Sequence, residues 1–117
     1  MNTILLQDHL NDILQKNVCF DMNNKTLREG KLVIYNIKDF YISFTLITKK
    51  DQQKVYELPV PFESYRTGTD LIFDYSLPHI TKNSTRVEYL LTSLKNKIGK
   101  KCKFYNNKLI IRSNLIN

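Results

Sequence analysis

The sequence predicts a single α+β domain: an N-terminal helix, a five-stranded, strongly bent SH3-like or Sm-like sheet or barrel, then a C-terminal helix and β-hairpin. Apolar stripes of helical period near both ends of the chain and alternating strand patterns between them predict these elements. A length of 117 residues with 42% hydrophobic residues suits one core. We expect residues 1–80 to form the helix and sheet, and residues 81–117 to form a basic helix–hairpin extension.

The N-terminal helix is predicted over residues 3–16. Leu6, Leu10 and Ile13 recur at helical spacing and form one apolar stripe. Lys16 at the end lies on the side that the helix dipole favours for a cation. This face should pack against the sheet.

The central block alternates apolar and polar residues, which indicates half-buried strands. Gly30 inside the long second strand indicates a bulge or a sharp bend. The fourth strand is expected at a sheet edge because Pro59 and Pro61 close it. Residues 49–53 are expected to form only a polar hairpin loop. The five expected strands lie near residues 18–22, 26–36, 40–46, 55–60 and 71–75.

The last third of the chain is predicted to contain a helix and a hairpin. Thr85 and Glu88 have the spacing of a capping box, and a leucine stripe follows until Gly99 supplies a stop. Asn106-Asn107 is typical of a two-residue hairpin turn between strands at residues 101–105 and 108–112.

Several short stretches in the first half of the chain resemble the Sm-like family of the bacterial Hfq type. Residues 6–11 read LQDHLN, close to the LQDxFLN helix start of that family. Residues 30–36 resemble its bent glycine strand, and residues 54–57 resemble its MVYKH strand. Glu57 and Leu58 stand where the family has a Lys-His pair.

This resemblance covers residues 1–60 and implies a five-stranded barrel that assembles into rings and binds single-stranded RNA. The family's RNA contacts carry over to Gln7 and Tyr56, with Phe40 as a stacking candidate.

The sequence shows no pattern of catalytic or metal-binding residues. His9 and His79 have no partners at metal-ligand spacing, and the three glycines are isolated. We therefore expect a protein that is not an enzyme and has no cofactor and no metal.

The chain is expected to be cytoplasmic, in a reducing compartment and away from membranes. Its start has no signal-peptide pattern, and no apolar run approaches the roughly 20 residues of a membrane span. Cys19 and Cys102 are expected to be small buried residues.

Positive charge is concentrated at the C-terminal end. Residues 82–117 contain nine Lys or Arg and one Glu, while residues 1–81 contain nine Lys or Arg and ten acids. This asymmetry predicts a surface for RNA or single-stranded DNA, although a solubilising lysine face is the plain alternative. The predicted contacts are Arg86, Lys97, Lys100, Lys101, Lys103, Tyr105, Lys108 and Arg112.

A function of another class is also open: a structural or interaction subunit of a larger assembly, of viral or plasmid origin for example. The basic end would then dock an acidic protein, and the edge near residues 55–60 could pair with another chain, including a copy of itself.

Overall fold

A computed structural model describes residues 3–39, 41–76, 104 and 107–113. These residues form one seven-stranded antiparallel sheet with the strand order β4-β3-β2-β1-β7-β6-β5, and one short helix precedes it. The elements are α1 (Thr3–Asn11), β1 (Asn17–Met22), β2 (Lys25–Ile37), β3 (Tyr41–Ile47), β4 (Gln53–Pro59), β5 (Glu63–Thr67), β6 (Asp70–Asp74) and β7 (Lys108–Ser113).

The predicted fold class is wrong, because the sheet has seven strands rather than the five of an Sm-like fold. β7 lies between β1 and β6, and Ile110 and Ile111 pair with residues on both sides. A hairpin partner at residues 101–105 would have no free edge there, so the predicted hairpin is also wrong. The predicted C-terminal helix lies outside the described residues.

The helix is shorter than its apolar pattern predicts. Leu6, Leu10 and Ile13 are buried as expected, but α1 ends at Asn11. The Gln15 N–H donates to the Leu32 carbonyl at 2.7 Å, which extends the pairing of β1 and β2 backwards into the predicted helix. In the described part of the chain, no helix is long and apolar enough to span a bilayer.

The long strand β2 bends where it changes partner, and it joins two parts of the sheet, here named its two layers: one contains β3 and β4, the other β1, β7, β6 and β5. Its first half pairs with β1 and its second half with β3, with a register shift in each ladder. Gly30 stands at this corner with φ +156°, and a Cβ there would lie 2.9 Å from the Ile47 carbonyl oxygen. A side chain cannot fit without moving backbone, so glycine permits this β2 corner.

The sheet also curls until its two edges approach each other. β4 and β5 are at opposite edges, yet only residues 60–62 join them. The four Cα–Cα steps across this link span at most about 14 Å, whereas seven flat strands would hold the edges about 29 Å apart. The Tyr75 hydroxyl, just after β6, donates to the Pro59 carbonyl at 2.6 Å in a buried position.

The core fills the space between the two layers. Phe20 on β1 packs against Phe44 on β3 and Tyr56 on β4, with ring centroids 5.1 Å and 5.2 Å away. Truncating one buried phenylalanine of this kind to alanine costs about 3–5 kcal/mol. The fully buried aliphatic residues around these rings include Leu6, Leu10, Ile13, Leu32, Ile42, Leu46, Leu58, Leu71, Leu109 and Ile111.

Three polar contacts hold α1 across the sheet. The Tyr35 hydroxyl on β2 donates to Oδ1 of Asn11 at 2.6 Å. On β5, Arg66 pairs at 2.8 Å with Asp12, the residue directly after α1. Together with the contact between His9 and Ser64 described below, these bonds tie the helix to β2 and β5.

Candidate functional site

Two of the residues predicted to bind nucleic acid belong to the described part of the chain, Lys108 and Arg112. Both lie on the outer face of β7, because Leu109 and Ile111 between them face the core. They are four positions apart, about 13 Å along the strand. The other predicted residues lie outside the described residues: Arg86, Lys97, Lys100, Lys101, Lys103 and Tyr105.

Arg112 is surrounded by carboxylates. Its Nε donates to Oδ2 of Asp21 on β1 at 2.8 Å, and its Nη1 lies 4.0 Å from Oδ2 of Asp70 on β6. The three side chains form a row across neighbouring strands. A guanidinium group compensated by two acids attracts a phosphate backbone only weakly. We therefore assign Arg112 to joining strands rather than to holding a ligand.

Lys108 lies at the other end of β7 and its ammonium group is exposed. The pKa of Lys108 is raised, first by a hydrogen bond with the Tyr65 side chain, then by the charges of Tyr65 and Asp74. The Asp74 carboxylate accepts hydrogen bonds from the backbone N–H and the hydroxyl of Ser76. Lys108 therefore stays protonated beside an acid that already has other partners.

The most basic part of the chain is inserted between β6 and β7. Residues 77–103, here named the basic insertion, contain seven Lys or Arg and one Glu, a net charge of +6. The rest of the chain contains 11 basic and 10 acidic residues. Nearly all of the chain's excess charge therefore belongs to the basic insertion.

The two roots of the basic insertion meet at one end of the sheet. The Tyr75 N–H donates to the Asn107 carbonyl at 3.0 Å. The rings of Tyr75 and Phe104 pack with centroids 5.5 Å apart. Lys108 follows directly, so the basic insertion leaves and re-enters the sheet beside this lysine, at the end of β7 away from Arg112.

The residues suggested by the Sm-like resemblance have unrelated surroundings. Gln7 is exposed on α1, and its carbonyl accepts a long hydrogen bond of 3.4 Å from Tyr35. Tyr56 faces inward from β4 against Phe20, and its buried hydroxyl has no hydrogen-bond partner among the residues that the structure describes. Phe40 lies outside the described residues. No shared surface joins Gln7 and Tyr56 among these contacts.

A groove of about 780 Å³ opens on the outer side of the β2 corner, next to the loop that joins β3 and β4. Strand residues, among them Cys19 and Ile47, line it. Three lysines, Lys31, Lys49 and Lys50, stand around it. This region is here named the lysine groove. The sequence did not predict it, because residues 49–53 were expected to form only a polar hairpin loop.

The loop beside the lysine groove is a tight, fully hydrogen-bonded turn. The Asp51 N–H donates to the Thr48 carbonyl at 2.9 Å. The Thr48 hydroxyl accepts from the N–H groups of Lys50 and Gln52, and Asp51 has φ +58°. Lys49 and Lys50 thus occupy the two central positions of a fixed turn.

The charges of the lysine groove are not neutralised by ion pairs. Within the described ranges, none of Lys31, Lys49 and Lys50 forms an ion pair within 4.0 Å; the ion pairs found there all involve arginine. Two acids, Glu29 and Asp51, also line the groove. Within the described residues, the lysines are therefore available to an external anion, and Asp51 and the second carboxylate oxygen of Glu29 to an external donor.

Cys19 is half-buried on the outer face of β1, so the expectation that it is a buried core residue is wrong. Its thiol donates to Oε2 of Glu29 at 3.5 Å. Burial raises the pKa of the Cys19 thiol, and the hydrogen bond and the charge of Glu29 raise it further. A thiol with a raised pKa is a poor nucleophile at neutral pH. Cys102 lies outside the described residues.

His9 and Ser64 share a hydrogen bond of 3.2 Å between Nδ1 and Oγ. Burial lowers the pKa of His9, and the charge of Arg66 lowers it further. A Ser–His pair can act in nucleophilic catalysis when a substrate reaches the hydroxyl. Ser64 is only 8% exposed, so this contact fastens α1 to β5.

The described residues contain no group of three His, Cys, Asp or Glu side chains that could hold a metal ion. No protein-family model, no curated protein and no solved structure matches this chain.

Proposed function

We propose that this chain binds RNA or single-stranded DNA, without catalysis, through the basic insertion with Lys108 at its root. The observation that carries the proposal is the concentration of charge: residues 77–103 have a net charge of +6 while the rest of the chain has +1. Lysines that neutralise phosphates release counterions, and this release favours binding.

The kind of basic residue supports contact with the backbone rather than with base edges. Six of the seven basic residues in the basic insertion are lysines. An ammonium group acts as a point charge, whereas bidentate recognition of guanine is typical of arginine. We therefore expect affinity that depends strongly on salt and weakly on sequence. We also propose a reducing, cytoplasmic setting for this chain.

The test is to reverse Lys97, Lys101 and Lys103 to Glu together. Fluorescence anisotropy with a labelled 20-nucleotide RNA and the matching DNA should show weaker binding at every salt concentration. The slope of log affinity against log salt should fall by about 2, since each lost phosphate contact removes about 0.7 on a single strand.

A matched control reverses three exposed lysines outside the basic insertion, Lys25, Lys38 and Lys54, which changes the net charge equally. In this control, the slope of log affinity against log salt should stay close to that of the parent. Equal losses in the two triple variants would show that only total charge matters, and unchanged binding in the first variant would refute the proposal.

A second candidate function, an assembly subunit that docks an acidic protein, is favoured by the edge position of β4, which pairs with β3 alone among the strands that the structure describes. Val55 and Ile34 are 61% and 54% exposed, and both pair with Thr45 across the outer face of the sheet. A free strand edge beside such a β-branched row suits the addition of a strand from another chain. Lys54, at an inward-facing position of the same edge, opposes such pairing.

Light scattering with and without an oligonucleotide separates the two functions. An assembly that forms without nucleic acid, and that Val55→Lys reduces to a monomer, supports the subunit. A monomer that gains mass only with the oligonucleotide supports nucleic-acid binding.

A further inference from the structure

The lysine groove has the size of a ligand site. Its volume of about 780 Å³ falls within the range of roughly 300–1,000 Å³ that is typical of small-molecule pockets. It lies beside Asn17 and Cys19, at the end of β1 that pairs with Arg112 and Ser113, whereas the basic insertion is rooted next to Lys108. The groove and the root of the basic insertion therefore lie at opposite ends of β7.

The three lysines of the groove suit a phosphate group. Ammonium groups form charge-assisted hydrogen bonds with phosphate oxygens. Lys49 and Lys50 are fixed in a hydrogen-bonded turn, and Lys31 extends from β2, which pairs with β3 at Ile47. Because the backbone of this turn is already ordered, binding costs little extra loop entropy.

The other lining residues suit the rest of a nucleotide. Carboxylates repel a bare phosphate but accept hydrogen bonds from ribose hydroxyls, as acidic residues do in dinucleotide-binding folds. Glu29 and Asp51 supply such acceptors beside the lysines, and Ile47 supplies an apolar surface for a base. This mixture fits a nucleoside phosphate better than inorganic phosphate.

We propose that the lysine groove binds a nucleoside phosphate, with Lys31, Lys49 and Lys50 on the phosphates and Glu29 and Asp51 on the ribose hydroxyls. The nucleoside phosphate is either a free nucleotide or a terminal residue of an oligonucleotide. This site goes beyond the function proposed above, because it uses other residues at another part of the sheet.

Cys19 provides a reporter inside the groove. In the full chain with Cys102→Ser, Cys19 is the remaining cysteine, and mass spectrometry follows its alkylation by the neutral reagent iodoacetamide. ADP should slow this alkylation in a saturable way, while inorganic phosphate at the same concentration should slow it much less. A 5′-phosphorylated RNA trinucleotide in place of ADP tests the second source of the ligand.

The triple variant Lys31→Gln, Lys49→Gln, Lys50→Gln should raise the ADP concentration for half-protection at least about tenfold. The matched control is the triple variant Lys25→Gln, Lys38→Gln, Lys54→Gln. In this control, ADP should protect Cys19 at the same concentration as in the parent. Circular dichroism establishes that both variants fold. If the groove variant does not fold, the double variant Glu29→Gln, Asp51→Asn replaces it. This variant removes the carboxylates proposed to bind the ribose hydroxyls, so it should also raise the ADP concentration for half-protection.

Three results would overturn the site: alkylation that neither ADP nor the trinucleotide slows, protection that survives loss of the three lysines, or equal protection by inorganic phosphate. The insertion variant Lys97→Glu, Lys101→Glu, Lys103→Glu should leave ADP protection unchanged. These experiments therefore distinguish failure of the proposed nucleotide site from failure of the proposed nucleic-acid binding by the basic insertion.

Discussion

The two layers of the sheet are joined in two different ways. At the β2 corner a single strand passes from one layer to the other, with ladder pairing to β1 and then to β3. At the opposite side, here named the closing seam, side chains make the join: Tyr75 bonds Pro59, and α1 is bonded to β2 and β5. The corner requires a residue without a side chain, Gly30, whereas the seam requires the hydrogen bonds of several side chains. Adding a side chain should therefore weaken the corner, and removing a polar group should weaken the seam.

The largest effect is expected at the corner, from Gly30→Ala. The added Cβ would lie 2.9 Å from a backbone oxygen at a φ of +156°, so the free energy of unfolding should fall by about 2–3 kcal/mol. Gly68→Ala is the control, because Gly68 has φ +64° and no atom within 4 Å of an added Cβ. In chemical denaturation, Gly68→Ala should lose only about 1 kcal/mol of its free energy of unfolding. Equal losses in the two variants would show that the steric clash at Gly30 does not determine the stability of the corner.

A smaller effect is expected at the closing seam, from Tyr75→Phe. This change leaves the buried Pro59 carbonyl without its 2.6 Å hydrogen bond, at a cost of about 1–2 kcal/mol. Tyr56→Phe is the matched control. The Tyr56 hydroxyl is buried without a hydrogen-bond partner among the described residues, so its removal should leave stability unchanged or raise it. If thermal and urea unfolding rank the two variants in the opposite order, the seam does not depend on Tyr75.

The smallest effect should appear as pH dependence at the contact of α1 with β5. Burial and then Arg66 lower the pKa of His9 in the fold, while Asp12 and Asp8 oppose them. The unfolded chain, with a pKa near 6.5, then takes up a proton first, so stability falls as pH drops through 6.5 and levels off below the folded pKa.

His9→Gln should remove this part of the pH dependence. Urea midpoints at pH 7.5 and 5.5 should differ less in the variant than in the parent. An unchanged difference would mean that other groups titrate in this range.

Much of the local structure could be predicted, because it depends on neighbours in sequence. Alternation gave the buried positions of the strands, and Pro59 correctly indicated the edge position of β4. β5 was missed because only Ser64 among its residues is buried, which leaves no apolar alternation to detect. β7 was found as a strand but given the wrong partner, since nothing local shows that β1 and β6 lie on either side of it.

The candidate sites show the same limit. A count of charges does not reveal that Arg112 is compensated by Asp21 and Asp70, from strands distant in sequence. The lysine groove depends on the pairing of β2 with β3, which carries Lys31 towards the loop with Lys49 and Lys50. The compensation of Arg112 and the grouping of the three lysines both depend on strand register, which the sequence alone does not reveal.

The central place of β7 has a consequence for synthesis on the ribosome. Its partners on β1 were translated about 90 residues earlier, so the nascent chain holds two partial sheets whose inward edges have no partner until β7 emerges. Unpaired strand edges recruit other chains, and closure across such a distance is slow. Newly made molecules should therefore be most prone to aggregate, and most dependent on chaperones, just before translation of β7 is complete.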